Sequence, residues 1–286
     1  MDNRTDEGDT GGAMPTSSTA ARRRRKRNFK NLSLEVAVIV TGVGIALLGE
    51  YLITEWTWSQ RVERAKSELR DEAQDLADKG IERIVITPCI LAQLDAIEAH
   101  LLDPAKNAEP LPKIETDFGS SVVSIPYRVF PNTAWQSSLN DGVTARLPRK
   151  ERYIRSSIYT VLDKMKYDQD IGAQKLGQLS LVSVDVQRTP EANLRLLQDL
   201  QELRRIVKSS GRTWRQYLGA IDALGDLPAD EELFAIFNEY STSEVGTAGY
   251  CIDRGLPLEG SIRSRDELIG PGTALRDGFK ALLKQE

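Results

Sequence analysis

The feature that most constrains this chain is an uncharged apolar run of 14 residues, residues 36–49. A helix that crosses a membrane needs about 20 apolar residues, so this run alone is short. With its flanking residues the apolar stretch extends over residues 32–53, which span about 33 Å as an α-helix. Glu35 and Glu50 then lie near its two ends, where long side chains reach water. The pattern predicts one transmembrane helix over residues 32–54.

The two flanks of this helix predict its direction. The sequence RRRRKR occupies residues 22–27, on the N-terminal side. Lys and Arg next to a span stay in the cytoplasm, whereas Tyr and Trp collect at membrane–water interfaces. Tyr51, Trp56 and Trp58 form such an interfacial belt at the other end. We therefore predict a bacterial inner-membrane protein with a cytoplasmic N-terminus and a periplasmic domain over residues 55–286.

The segment before the helix, residues 1–31, is predicted to be a disordered, basic cytoplasmic tail, because its beginning carries too little apolar surface to offset chain entropy. Two alternatives to the membrane anchor stay open. One is a cleaved signal peptide, since the basic block with Phe29 and Lys30 loosely resembles a twin-arginine export signal. The other is the buried helix of a soluble protein. No A-x-A cleavage site follows the apolar run, and this favours the anchor.

One stripe of the predicted membrane helix carries Glu35, Gly42, Ala46 and Gly49. Small residues four positions apart let two helix backbones approach closely, and an intramembrane carboxylate often faces a partner. The stripe predicts a helix-packing face that binds a second copy of the chain or another membrane or periplasmic protein, within the lipid bilayer. The alternative is that Gly and Ala are simply frequent in membrane helices.

The composition limits what the rest of the chain can do. Its 40% hydrophobic and 28% charged residues fit a soluble globular domain, so the membrane segment is a local feature. A structural zinc site takes about four Cys or His ligands, and the chain has two Cys and one His. We expect His100 on the surface near a helix end, and we expect no catalytic, cofactor-binding or metal site and no enzymatic activity. The residues after the basic tail are acidic overall, which disfavours nucleic acid as a partner.

The spacing of apolar residues predicts an all-α fold. The transmembrane helix is expected to continue into an amphipathic helix that ends at Gly80. A second helical stretch follows, in which Pro88 either starts a helix capped by Thr87 or kinks one. Residues 103–132 contain five prolines and are predicted to form an irregular insertion.

Further helices are predicted over residues 149–186, 189–224, 230–240 and 272–283. Thr189 and Pro190 have the pattern of an N-cap followed by a proline at the first helical position, and Gly211 is a possible kink. Long amphipathic helices joined by short links are typical of an up-and-down bundle. The sequence therefore predicts a periplasmic antiparallel helical bundle with a Pro-rich insertion.

The two cysteines, Cys89 and Cys251, both lie on the predicted periplasmic side, where oxidation is favoured. An even pair on that side predicts a disulfide that ties the C-terminal region to the second helical stretch. The alternative is two buried free thiols.

The region around the apolar run combines the acidic Glu35, the span VAVIVTGVGIALLG, the tryptophans Trp56 and Trp58, and the charged stretch RVERAKSELRDEAQDL. This pattern resembles a family of uncharacterised bacterial single-pass inner-membrane proteins. The resemblance implies an anchored envelope protein and carries no activity or site residues. We expect a membrane-anchored periplasmic interaction, sensor or scaffold protein. The alternative is an envelope enzyme or enzyme subunit with a carboxylate-based site.

Overall fold

The computed structural model describes residues 18–116, 119–181, 188–227, 247–259 and 264. Its α-helices in these ranges are α1 (Ser18–Leu102), α2 (Thr133–Asn140), α3 (Arg149–Leu181), α4 (Pro190–Leu224) and α5 (Thr247–Asp253), with 3₁₀ turns at Pro104–Lys106 and Val143–Arg146. The strands found there, β1 (Ile114–Thr116) and β2 (Gly119–Ser121), form one short antiparallel pair. The predicted all-α class is confirmed.

The chain divides into two compact units, residues 1–60 and 61–286. The first unit contains the apolar run. By length and composition α1 is able to cross a membrane, and none of its apolar window is buried.

Helix α1 begins at Ser18, ahead of the start predicted at residue 32. Residues 18–31 are therefore helical, although they were expected to belong to a disordered tail. The Ala, Arg and Lys residues in this stretch have high helix propensity. They also extend a helix that the apolar run has already nucleated, so each added residue gains a hydrogen bond without the cost of a new nucleus.

The predicted helix end at Gly80 is wrong, because α1 continues through it to Leu102. The glycine serves close packing instead. A Cβ atom at this position would lie 2.5 Å from Cε3 of Trp214, a fully buried side chain of α4. Because no other residue lacks a Cβ, only glycine permits this contact without displacing the indole.

Pro88 also lies inside α1 and does not start a new helix. A proline within a helix removes one backbone donor and crowds the preceding turn. The hydroxyl of Thr87 donates a hydrogen bond to the carbonyl oxygen of Arg83 at 2.6 Å, one turn back. Thr87 is therefore bonded within the helix and is not an N-cap.

The second unit has an apolar core to which α1, α3 and α4 all contribute. Leu94 of α1, Leu162 of α3 and Leu200 of α4 are fully buried in it. Burying one such side chain contributes about 1.5–3 kcal/mol. At the surface, a hydrogen-bonded ion pair joins α4 to α1: Nη2 of Arg204 lies 2.5 Å from Oδ1 of Asp95.

The ends of α4 follow the sequence prediction. The Thr189 hydroxyl accepts a hydrogen bond from the Ala192 amide at 3.2 Å, and Pro190 occupies the first turn. The helix ends at Gly225, whose φ of 73° is a conformation that favours glycine. Gly211 does not interrupt α4; a Cβ atom there would lie 3.2 Å from Oγ1 of Thr87, so this glycine marks a close approach to α1.

The Pro-rich region between α1 and α2 contains the 3₁₀ turn at Pro104–Lys106 and the short strand pair, and its other described residues are irregular. Its apolar side chains nevertheless enter the core, since Leu111, Val123 and Phe130 are buried. The Ser124 amide donates to Oε1 of Gln93 on α1 at 2.8 Å. A side chain of α1 thus accepts a hydrogen bond from a backbone amide that has no strand partner.

The helices predicted at 230–240 and 272–283 lie outside the described residues.

Candidate ligand cavity

A cavity of about 350 Å³ lies between α1, α3, α4 and the segment of residues 121–130. We call it the interhelical cavity. Its walls are mostly apolar and include Ile90, Phe130, Met165, Leu176, Val207 and Trp214. Small-molecule sites in proteins are typically clefts of this size, lined by apolar side chains with a few polar groups.

Aromatic rings fix the shape of one wall. The rings of Phe130 and Trp214 meet edge to face with centroids 5.5 Å apart. Trp214 makes a second edge contact, with Tyr217, at 5.2 Å. Edge-to-face pairs of this kind stabilise by about 0.5–1.5 kcal/mol beyond area burial, so these contacts favour the observed arrangement of the rings.

The side chains of Arg83, Gln169 and Tyr127 place polar groups along the same cavity. The Arg83 guanidinium is buried, and its Nη2 donates to the Pro126 carbonyl oxygen and, at 3.1 Å, to Oε1 of Gln169. The Gln169 side-chain amide also donates to the Arg128 carbonyl oxygen at 2.8 Å. These bonds hold the segment of residues 124–130 against α1 and α3.

Burial lowers the pKa of Arg83 to about 10, while the charge of Glu82 raises it and that of Arg128 lowers it. The guanidinium therefore remains charged at neutral pH. Burying a charge is unfavourable unless it is paired. Both acceptors of Arg83 are neutral oxygens, which leaves its positive charge without a hydrogen-bonded anion among the described residues.

The neighbouring carboxylate, Glu82, is already engaged. Nε and Nη2 of Arg128 donate to its two oxygens at 2.8 Å and 2.6 Å, a bidentate arrangement that raises the pKa of Arg128.

One turn earlier in α1, burial raises the pKa of Asp78 to about 6, with Lys79 opposing the shift. Asp78 is the described carboxyl whose pKa is shifted furthest towards neutrality, but it does not line the cavity.

A second buried polar network lies around Glu72 of α1. Its carboxylate accepts hydrogen bonds from the Tyr159 hydroxyl at 2.6 Å and from the Ala134 amide at 3.0 Å. Asn132 occupies the N-cap position of α2 but makes no side-chain cap hydrogen bond. Glu72 therefore satisfies the free amide at the start of α2 from another helix. The polar groups around Glu72 are hydrogen-bonded to one another, and we therefore assign this network a structural role.

The cysteines predicted to pair lie at disulfide-bonding distance. The Sγ atoms of Cys89 and Cys251 are 1.99 Å apart and their Cα atoms 6.0 Å apart, which agrees with the prediction. The pair links α1 to α5 across 162 residues of sequence. Both residues are fully buried.

The residues of the predicted helix-packing face and interfacial belt lie on α1, in the first unit. Glu35, Gly42 and Ala46 are exposed, as are Tyr51 and Trp56. Gly49 and Trp58 are partly buried. A Cβ atom at Gly42 or Gly49 would have no neighbour within 4 Å, so the face has room for a partner helix.

His100 departs from expectation. It lies in the last turn of α1, as predicted, but it is buried and not on the surface. Its Nε2 is 3.5 Å from the Glu109 carbonyl oxygen. The chain after α1 folds back over this residue, which helical spacing alone does not reveal.

Within the described ranges no three His, Cys, Asp or Glu residues form a group able to hold a metal ion.

Sequence reasoning missed the cavity residues. Arg83 is one of many charged residues in α1, and its burial depends on a segment more than 40 residues away. One signal was present: Gly80, Arg83 and Thr87 lie on one helical stripe, and each departs from the ordinary apolar pattern of a core helix.

Comparisons with protein-family models, with curated proteins and with solved structures gave no match to this chain.

Proposed function

We propose that the protein is a membrane-anchored sensor or interaction module whose helical domain binds a small molecule with a largely apolar body in the interhelical cavity. The cavity is the observation that carries this proposal, because its volume of about 350 Å³ and its mostly apolar wall suit a small molecule. As part of the same proposal, we retain the resemblance to uncharacterised single-pass inner-membrane proteins.

The membrane anchor is supported by the composition and exposure of α1. Its apolar side chains are uncovered: Val38, Ile45 and Ile53 each expose about two thirds of their surface. Exposed apolar side chains in such a row are unfavourable in water and favourable in hydrocarbon. The proposed partner of this stretch is therefore the lipid bilayer, with the stripe from Glu35 to Gly49 facing a second copy or another membrane protein.

The proposed topology is a cytoplasmic N-terminus and a periplasmic domain. The basic residues 22–27 precede the apolar stretch, and Tyr51 and Trp56 follow it. The Cys89–Cys251 pair is consistent with a domain that folds in an oxidising compartment.

We further propose that the domain is a bundle of α1, α3 and α4 in which α4 runs antiparallel to the other two helices. Helices α1 and α3 run in the same direction, since Glu72 binds Tyr159 and Arg83 binds Gln169. Residue order across the contacts supports this arrangement. In α1, Gly80 meets Trp214 and Glu98 binds Arg204, so increasing numbers in α1 pair with decreasing numbers in α4. Between α3 and α4, Lys175 binds Asp199 at 2.6 Å, and Gly172 lies near Leu203, which again gives opposite directions.

An envelope enzyme or enzyme subunit is the second candidate. The observation that favours it is Asp78, since a carboxyl whose pKa lies near 6 suits acid–base chemistry. The sensor proposal is preferred because Asp78 lies outside the cavity lining and the Lys79 amide donates to its carboxylate at 2.6 Å.

Ligand binding is tested with a neutral apolar probe, decan-1-ol, added to the full chain in lipid nanodiscs. A ligand that binds the folded state raises the unfolding temperature. Gly177 lies at the exposed edge of the cavity with no atom within 4 Å of its Cβ position, so Gly177→Leu adds a bulky side chain at that edge; Gly219 is equally open but does not line the cavity. We expect stabilisation of the wild type and of Gly219→Leu but not of Gly177→Leu. Equal shifts in both variants would contradict a ligand site in the cavity.

A further inference from the structure

We infer that the interhelical cavity binds an anionic amphiphile, with its carboxylate or equivalent anion at the Arg83 guanidinium and its hydrocarbon chain along the apolar wall. This inference rests on the proposed function and adds the chemical class of the ligand.

The first argument is the hydrogen-bonding capacity of Arg83. The side chain is nine-tenths buried, with 8% of the residue exposed. A guanidinium carries five N–H donors. The bonds that Arg83 makes to described residues all leave from Nη2, towards the Pro126 carbonyl and Gln169. Nε and Nη1 make no hydrogen bond to any described residue, so donors remain for a ligand.

The second argument is the charge around this guanidinium. Glu82 is bound bidentately by Arg128. Asp168 also lines the cavity, but its carboxylate is in contact with Lys164 one turn earlier. The carboxylates near the cavity thus have cations of their own, and Arg83 is the one Lys or Arg among its described lining residues. A buried cation of this kind is stabilised by an anion that brings its own charge.

The third argument concerns the body of the ligand. Away from Arg83 the wall is formed by side chains such as Met165, Leu176 and Val207. These groups offer no hydrogen bonds to a polar molecule, and they gain from contact with hydrocarbon. Ala173 and Gly177, which also line the cavity, are exposed at its edge on α3. The described residues therefore leave a route by which a chain enters.

Matched ten-carbon probes test the head group without any mutation. Decanoate, decyl sulfate, decan-1-ol and decyltrimethylammonium are dialysed to equilibrium against the full chain in nanodiscs of zwitterionic lipid, with empty nanodiscs subtracted. Charge-assisted hydrogen bonds are about twice as strong as neutral ones. We expect both anions to bind at one per chain and about tenfold more tightly than decan-1-ol. Equal affinity for decan-1-ol, or tighter binding of the cation, would overturn the inference.

Two variants assign the site. Arg83→Gln should reduce the decanoate affinity to that of decan-1-ol measured in the same variant. Gly177→Leu should abolish binding of both probes, whereas Gly219→Leu should bind both normally. Should Arg83→Gln fail to fold, the head-group series on the wild type still decides. Decanoate binding that is as tight in Gly177→Leu as in Gly219→Leu would place it outside the cavity and overturn the inference.

The outcomes separate the ligand class from the proposed function. If all uncharged and charged probes bind the cavity equally, the domain still binds a ligand but the anionic class is wrong. If no probe binds and none raises the unfolding temperature, the ligand class and the proposed function both fail.

Discussion

Tyr159 and Tyr217 are buried tyrosines whose hydroxyl groups have different surroundings. The Tyr159 hydroxyl donates to Glu72 at 2.6 Å, whereas the Tyr217 hydroxyl has no hydrogen-bond partner among the described residues. We predict that Tyr159→Phe lowers the free energy of unfolding by about 1–3 kcal/mol, because a buried carboxylate loses a donor. Tyr217→Phe should be neutral or slightly stabilising. Urea unfolding of both variants is the measurement, and equal losses would contradict the assignment.

Asp78 gives the domain a defined pH dependence. Its pKa is raised to about 6 from an ordinary value of 3.8, so between these values the folded state binds more protons than the unfolded state. Stability therefore falls as the pH rises through this window. Asp78→Asn removes a buried charge and should raise the free energy of unfolding above pH 6, by about 1 kcal/mol since solvent screens part of the effect. Below pH 4 the substitution should change the free energy of unfolding little. Thermal unfolding from pH 3.5 to 7.5 tests this, and a pH-independent effect would count against it.

At the scale of helices, the glycines of α1 and α4 distinguish packing from propensity. At Gly80 a methyl group would overlap Trp214, whereas at Gly219 it would meet nothing within 4 Å. Gly80→Ala should destabilise by about 1–3 kcal/mol through overpacking. Gly219→Ala should stabilise by up to about 1 kcal/mol through helix propensity. Chemical unfolding of the two variants measures both signs, and stabilisation by Gly80→Ala would show that the indole moves freely.

The same elements show what the sequence predicts and why the rest escapes it. Helical periodicity and the Thr189–Pro190 start of α4 are local signals, and the structure confirms them. The end predicted at Gly80 is wrong because a glycine at a helix end and a glycine under a neighbouring side chain look alike in sequence. Only the tertiary contact with Trp214 distinguishes them.

The candidate site was beyond sequence reasoning for a similar reason. Arg83 and Gln169 are separated by 86 residues, and the Pro126 carbonyl that Arg83 binds belongs to a region without helical or strand periodicity. Polar residues at such distances form a site only once the helices have packed. The cysteine pair was predictable because two cysteines on one proposed side of a membrane leave a single possible pairing.

At the scale of the whole molecule, the Cys89–Cys251 pair closes a loop that contains most of the domain. A cross-link over 162 residues restricts the unfolded chain strongly. We predict that the Cys89→Ala/Cys251→Ala double variant lowers the free energy of unfolding by about 2–5 kcal/mol. Thermal unfolding with and without reductant is the check: the wild type should respond to reductant and the double variant should not. A wild type indifferent to full reduction, confirmed by thiol trapping, would contradict the prediction.

We propose that the apolar stretch of α1 anchors the protein in the membrane and that the helical domain lies outside the cytoplasm. Two reporter proteins fused after residue 286 test this topology. Alkaline phosphatase is active only after export, and green fluorescent protein is fluorescent only in the cytoplasm. We predict active phosphatase and dark fluorescent protein, both in the membrane fraction after carbonate washing. A fluorescent fusion with inactive phosphatase, or a domain released from the membrane by the wash, would contradict this anchored topology.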